Sequence, residues 1–422
     1  MKKRMYRAVD VKRVDWERLS ATVEGQRVVV GVDVAKERPY AALRVEGGEV
    51  VLLWKWRQPW ENTQVVERLS GLGASSVEVV MEPSGTYGDA LRSQLEGAGI
   101  EVFRVSPKRC HDYAEVYDGV PSHHDGKSAV LLADLHVQGK SRRWPVASAE
   151  DRERTATLAA WGLYFGTFQR CVNRMEAQLA RYWPEVTELL ALDSATLLEL
   201  LMAYGDPRRV AASAAGARRR MRQVGGRFLS SAKIEVVLAS AGETVGMEMV
   251  AGERWALTEL AREVRRLQKE LYRVKRRIRR QVAEDPSTRQ ISEVVGESTA
   301  LGLRVSAGDP RDYPSAASYL KGLGLNLKVR SSGKFKGQLR LSKRGPGLAR
   351  QLLYMAVLRW IQKDRIARQW YERKVARDGG LRRKALTAMM RKLARGLWHV
   401  GRGEVFDSRR LFDVRRLGLS AG

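Results

Sequence analysis

The sequence predicts an α/β domain followed by a mostly helical remainder, an α/β plus α chain. Three observations carry that expectation. Two β-branched runs, Arg27–Asp33 and Ser76–Met81, each lead straight into a carboxylate, Asp33 and Glu82. Strand signals fade after about residue 150, where Arg, Glu, Ala and Leu dominate. The 76 Lys and Arg residues outnumber 48 Asp and Glu, a formal net charge of +28 over 422 residues.

The first domain is assigned to residues 26–148, after a basic N-terminal extension over 1–25. Arg27–Asp33 reads as a buried strand. Tyr40–Val45 and Val50–Trp56 follow as two more, separated by the turn Glu46-Gly47-Gly48-Glu49. A helix over Glu61–Leu72 carries Val65, Val66 and Leu69 on one face. Ser76–Met81 is a fourth strand, Gly85–Gly97 a second helix and Ile100–Val105 a fifth strand stopped by Pro107. The order β-β-β-α-β-α-β is that of an RNase H-like (RuvC-like) fold. A further helix is expected over Val130–Gly139, with Asp125 at the helix N-cap position.

Residues 149–289 read as a helical or coiled-coil linker with an insertion. Leu257, Leu260, Val264, Leu267, Leu271, Val274 and Ile278 alternate spacings of three and four, a heptad seam. The Arg and Lys residues between them fit either a solvated face of a packed helix or an arm that dimerises or lies along nucleic acid. Residues 191–250 carry loop signals at Gly225-Gly226 and Gly242 and no functional motif. From 290 to 422 a third module shows helices over Ser298–Val305, Ala316–Leu323, Leu348–Asp364 and Ala385–His399.

The charge excess suits a polyanion. No segment approaches the roughly 20 apolar residues of a spanning helix, so no membrane partner is expected. Met1-Lys2-Lys3-Arg4 lacks the apolar stretch of a secretory signal. Cys110 and Cys171 are spaced for no metal site and read as reduced thiols of a cytoplasmic protein. The five histidines show no zinc pattern.

Asp33 and Glu82, at the ends of adjacent central strands, suit a hard divalent cation for phosphodiester chemistry. Asp125 is the candidate third acid; Asp112, Asp118 and Asp134 are weaker ones. Downstream, Arg330-Ser331-Ser332-Gly333-Lys334-Phe335-Lys336 places hydroxyls among cations, followed by Ser342-Lys343-Arg344-Gly345 and Arg350. Such a segment is either a phosphate-binding loop or a serine nucleophile with cations to stabilise its alkoxide. Trp54, Trp56 and Trp60 read as strand and core residues, with base stacking as the alternative.

In combination, six segments resemble the insertion-sequence 110 family of transposases, of which the Piv DNA invertase is a relative. They are Gly31-Val32-Asp33-Val34-Ala35-Lys36, Glu82-Pro83-Ser84-Gly85-Thr86-Tyr87, Asp125 with Ser128-Ala129, Ser332-Gly333, Ser342-Lys343-Arg344-Gly345, and Ala388 to Ala394. The resemblance covers roughly 26–145 and 290–412 and leaves the longer middle unexplained. It implies a RuvC-like domain with an Asp-Glu-Asp-Asp set, a coiled-coil linker and a C-terminal transposase domain. Carried over by motif, Asp33, Glu82 and Asp125 are catalytic and hold Mg²⁺ (or Mn²⁺), and Ser332 is the nucleophile, with Ser331 its neighbour to test. Arg330, Lys334, Lys336, Lys343, Arg344 and Arg350 fall to phosphate binding.

The resemblance also implies a 5′-phosphoserine intermediate, donor and target DNA, and a structured non-coding bridge RNA that pairs with both. It implies a tetramer built as a dimer of dimers, and a cytoplasmic, nucleoid-associated protein. One position departs: the fourth acid is expected directly before Ala129, and this chain has Ser128. A glycine turn of helix-hairpin-helix type is partly present as Val294-Val295-Gly296-Glu297. Two rival readings use the same residues. One is a RuvC-like nuclease or junction resolvase with water as nucleophile. The other is a non-catalytic nucleic-acid-binding descendant, which the missing fourth acid keeps open.

Overall fold

The computed structural model describes residues 6–83, 85–120, 124–329, 337 and 339–418. The chain divides into two compact units, 1–148 and 149–422.

The first unit is a seven-stranded sheet. Its elements are β1 (Val9–Asp10), α1 (Trp16–Val23), β2 (Arg27–Asp33), β3 (Tyr40–Val45), β4 (Val50–Lys55), α2 (Asn62–Ser70) and β5 (Ser76–Met81). They continue with α3 (Asp89–Gly97), β6 (Glu101–Arg104), α4 (Pro107–Asp118), α5 (Asp125–Val137) and β7 (Arg142–Arg143). The strand order is β1-β4-β3-β2-β5-β6-β7. β2, β3 and β4 pair antiparallel, whereas β5 joins β2 in parallel and β6 joins β5 in parallel. All the strands and helices expected between residues 27 and 105 are present. Beyond expectation, the segment before residue 26 is structured: it adds β1 and α1, and Val11, Leu19 and Val23 are buried.

β2 is buried on both faces, as its unbroken Val run requires. Val28, Val30 and Val32 face a layer containing Leu69, Leu91 and Leu95 of α2 and α3. On the other face Val29 packs with Leu132 and Ala133 of α5. Gly31 sets the closeness of that packing. A Cβ there would overlap the Ala129 carbonyl oxygen and lie 2.7 Å from the Ala133 nitrogen. Trp54 and Trp56 are buried, the Trp56 indole donating to Asn62 Oδ1 at 2.8 Å, while Trp60 is exposed.

In the second unit, α6 (Ala149–Tyr182) precedes a group of shorter helices: α7 (Val186–Leu189), α8 (Ala195–Ala203), α9 (Pro207–Ala212), α10 (Ala214–Gly225) and α11 (Ser231–Gly242). α12 (Ala251–Glu284) follows. The seam of α12 is filled from within the chain. Leu257, Ala261 and Val264 share one core with Val172, Met175 and Leu179 of α6 and with Leu197 and Leu201 of α8. Its outer face is laced by its own acids, through Arg262–Glu259, Arg266–Glu263 and Arg273–Glu270 pairs three residues apart. Within the unit this is the packed helix with a solvated face.

Then come α13 (Pro286–Val295), α14 (Glu297–Ala307), α15 (Ala316–Gly322), the short strands β8 (Leu327–Lys328) and β9 (Arg340–Leu341), α16 (Gly347–Lys363), α17 (Arg365–Arg377), α18 (Arg382–Val400) and α19 (Ser408–Leu411). Gly296, at φ +86°, makes the turn between α13 and α14. The apolar faces of α16 and α18 meet in one core around Leu353, Val357, Met389, Leu393 and Leu397. No helix of the described residues is long and apolar enough to cross a membrane.

Candidate active site

The parallel register of β2 and β5 pairs Val32 with Met81, so Asp33 and Glu82 come at neighbouring strand ends. Gln58 ties the chain just beyond both. Its buried side-chain amide donates to the Ala35 carbonyl at 3.1 Å and to the Tyr87 carbonyl at 2.9 Å. On the β2 side the close approach at Gly31 seats the first turns of α5, bringing Asp125 and Ser128 toward Asp33.

The electrostatics show that these groups sense one another. Asp33 has its pKa raised to about 6, first by burial, then by the charges of Asp125 and Glu82. Ser128 opposes the rise with a hydrogen bond from its hydroxyl to the Asp33 carboxylate. Glu82 is also raised by burial and is partly held down by a hydrogen bond from the Cys110 thiol. Burial and the neighbouring Glu82 and Asp33 push that thiol up to about 12, so it stays protonated. Asp33, Glu82, Asp125, Ser128 and Cys110 therefore form one acidic cluster with two small donors.

Asp125 is exposed and is the first residue of α5 rather than its cap. The cap is His124, whose Nδ1 accepts from the Lys127 backbone at 3.1 Å. An imidazole nitrogen can accept a backbone N–H as a carboxylate does, so His124 takes the capping role and the Asp125 carboxylate is not used for it. Asp134 does not complete the set. It lies nine residues further along α5, about 13 Å by helical rise. There it pairs with Arg44 and accepts hydrogen bonds from Tyr113 and Gln138. Asp118 is held by the buried Lys127 ammonium at 2.8 Å, and Asp112 pairs with Lys108.

Among the described residues, no three His, Cys, Asp or Glu side chains are gathered closely enough to enclose a metal ion as they stand. The donor chemistry nevertheless fits a hard divalent cation. Asp33 carries the repulsion of two further carboxylates, which a cation would relieve. Mg²⁺ keeps several waters and takes only one or two carboxylates directly.

Ser332 lies in the connection between β8 and β9, outside the described residues, as do Ser331, Arg330, Lys334 and Lys336. The base of that connection is described. Arg350 of α16 donates to the Gly345 carbonyl at 2.8 Å and to the Leu323 carbonyl at 3.4 Å, binding two glycine loops together. Gly345 lies against the Gly322 carbonyl and the Gly324 nitrogen so closely that no Cβ fits. Lys343, at φ +55°, and Arg344 are exposed beside it.

Sequence reasoning missed Cys110 and Gln58. Neither has a signal in the sequence, since each matters through residues distant in the chain.

No curated protein is significantly similar to the chain. Two family models do match. Residues 30–184 match the DEDD model of IS110-type proteins, described as Transposase, and residues 292–372 match the Transposase IS116/IS110/IS902 family. Together they span more than half of the chain, in the order expected, with the acidic cluster inside the first and the β8–β9 connection inside the second. The chain belongs to the IS110 family of transposases.

Proposed function

We propose that this transposase cuts and rejoins DNA through a covalent 5′-phosphoserine on Ser332, with Asp33, Glu82 and Asp125 as its acidic centre. The observation that carries the reading is the raised carboxyl of Asp33, pushed up first by burial and then by the charges of Asp125 and Glu82. Asp33 and Glu82 sit at the ends of the central strands β2 and β5, with Ser128 donating to the first and Cys110 to the second. Such a cluster is costly to maintain in a metal-free protein and is a typical functional-site signature.

Asp33, Glu82 and Asp125 would hold Mg²⁺ or Mn²⁺, which supplies charge neutralisation to the phosphoryl oxygens. Ser128 keeps Asp33 ionised, in place of a fourth negative charge. The Ser332 hydroxyl attacks a backbone phosphorus; the Oγ–P bond forms as the P–O3′ bond breaks. The serine proton leaves to a base, and the departing 3′-oxygen takes one up. A 3′-hydroxyl of the other duplex then attacks the same phosphorus and displaces Ser332. The number of phosphodiesters is unchanged, so no nucleotide cofactor is needed. Arg330, Lys334, Lys336, Lys343 and Arg344 neutralise the strand being cut, and Arg350, which ties the Leu323 and Gly345 carbonyls together, adds its charge beside them.

We extend the reading to a structured bridge RNA as guide for both DNAs, and to a tetramer in which one subunit's acids serve another's Ser332. The charge of +28 supports a large polyanionic partner.

A nicked donor substrate tests the chemistry. A protein–DNA adduct on a denaturing gel is expected with the wild type and absent with Ser332→Ala. Free cleaved ends without any adduct would mean that water is the nucleophile. Mixing Asp33→Asn with Ser332→Ala subunits should restore recombination only if sites are shared between subunits. Sequencing nucleic acid that copurifies with the protein should return one discrete RNA; its absence refutes guidance without touching the serine step.

A further inference from the structure

Neither family match reaches residues 185–291. Within that stretch α7 to α11 build a helical layer on α6 and α12, through Val186, Leu190, Leu197, Val210, Met221 and Ile234. Its surface charge is segregated. From Pro207 to Ile234 the chain carries eight Arg or Lys and no Asp or Glu. Three of these pair with acids from outside the stretch: Arg208 with Glu248, Arg218 with Glu235 and Arg220 with Glu199. Arg219, Arg222 and Arg227 are exposed and lie beyond ion-pair distance of any carboxylate among the described residues.

Two of these arginines share one face of α10 and the third follows the end of that helix. α10 turns Ala217 and Met221 inward. Arg219, Arg222 and Gln223, spaced three and four apart, share the opposite, exposed face. The helix stops at Gly225, and Gly226 turns the chain at φ +51°. Arg227 and Phe228 follow directly. Phe228 is 88% exposed, the most exposed large apolar side chain among the described residues. The Arg227 guanidinium sits 5.1 Å from its ring centre.

A solvated face accounts for arginines, but not for a bare phenylalanine beside them. Fully exposing such a ring gives up about 2 kcal/mol of burial that a partner could restore. Unpaired cations followed in the chain by a cation-flanked aromatic platform match a phosphate backbone with an accessible base. A duplex keeps its bases stacked away from such a ring, whereas a single strand can offer one. We infer that the exposed face of α10 and the Arg227-Phe228 turn form a binding surface for single-stranded nucleic acid. Arg219, Arg222 and Arg227 track the phosphates, and Phe228 takes an unpaired base. This surface is separate from the Ser332 chemistry, so Ser332→Ala leaves it intact.

The test uses the full-length protein and short oligonucleotides carrying 5-bromouracil. Irradiation followed by tryptic mapping reads this surface apart from the rest of the basic chain. Single strands are expected to crosslink to the peptide holding Phe228, and the matching duplex is not. Titrating the oligonucleotide against crosslink yield gives the affinity of this one site. Phe228→Ala should weaken it about tenfold, and Phe228→Trp should retain it. Arg219→Ala, Arg222→Ala and Arg227→Ala together should flatten the dependence of log K on log salt by about 2. Comparing ribose with deoxyribose strands names the natural ligand, and either preference supports the assignment. Equal labelling by duplex, crosslinks only elsewhere in the chain, or an unchanged salt slope in the triple variant would overturn it. A partner protein that binds this face while nucleic acid does not would overturn it as well.

Discussion

Replacing Asp33 by asparagine should make the metal-free protein more stable at neutral pH while abolishing recombination. In the fold the Asp33 carboxyl titrates at about 6, against an ordinary value of 3.8. At 1.36 kcal/mol per tenfold change in proton affinity, ionising it within the fold costs about 3 kcal/mol, and partial exposure screens this to roughly 2 kcal/mol. The folded pKa lies above the unfolded one, so the bound proton favours the fold fully below about 3.8. That contribution is lost as pH rises through about 6. Above it, the ionised Asp33 weighs against the native state, and a neutral asparagine side chain in its place does not. Hydrogen–deuterium exchange of peptides from β2 and α5, in EDTA, measures the opening free energy of the first unit locally. At pH 7.5 the variant should be better protected by roughly 2 kcal/mol, with the advantage shrinking between pH 6 and 4. Millimolar Mg²⁺ should raise the protection of the wild type and not that of Asp33→Asn. A variant less protected than the wild type at pH 7.5, or a difference that ignores pH, would refute the account of the cluster.

Ser128→Ala removes the donor that keeps Asp33 ionised, so the acid limb of the pH–activity profile should move to higher pH. Cys110→Ala removes the thiol that holds Glu82 down and should shift the same limb in the same direction; the wild-type thiol should resist alkylation at pH 8. Gln58→Ala frees the chain beyond both strand ends and should lower kcat roughly tenfold or more while the melting curve of the first unit changes little. Gly31→Ala forces α5 off β2 and should cost about 3 kcal/mol or more, visible as loss of soluble, folded protein.

Much of the fold was legible because its signals are local. The runs at 27–33 and 76–81 are valine-rich, as expected of strands buried in the centre of a sheet. Each leads into an acid, so Asp33 and Glu82 stood out from the local sequence alone. The helices around Val65, Leu353 and Met389 showed the three-and-four spacing of one buried face. Less legible were elements too short or too polar to carry a period. β1, α1 and β7 gave no pattern, and α17 was hidden because Arg and Lys cover most of its surface.

Within the site, the sequence marked which residue types matter, and the fold decided which of them meet. In the sequence Asp125 is the stronger candidate and Asp134, nine residues on in the predicted helix, the weaker one. Helical rise carries Asp134 away to Arg44, while the absence of a Cβ at Gly31 lets the first turn of α5 settle beside Asp33. Ser128 read as the lack of a carboxylate. In the fold it is a hydrogen-bond donor to Asp33, which lowers the cost of the charges that remain. Likewise, the periodicity of α12 determined that one face would be buried, and tertiary packing supplied α6 and α8 of the same chain as the partner. Composition and local periodicity record what each residue can do in its own element. Proximity between elements depends on register, rise and backbone clearance, and those quantities exist only once the chain has folded.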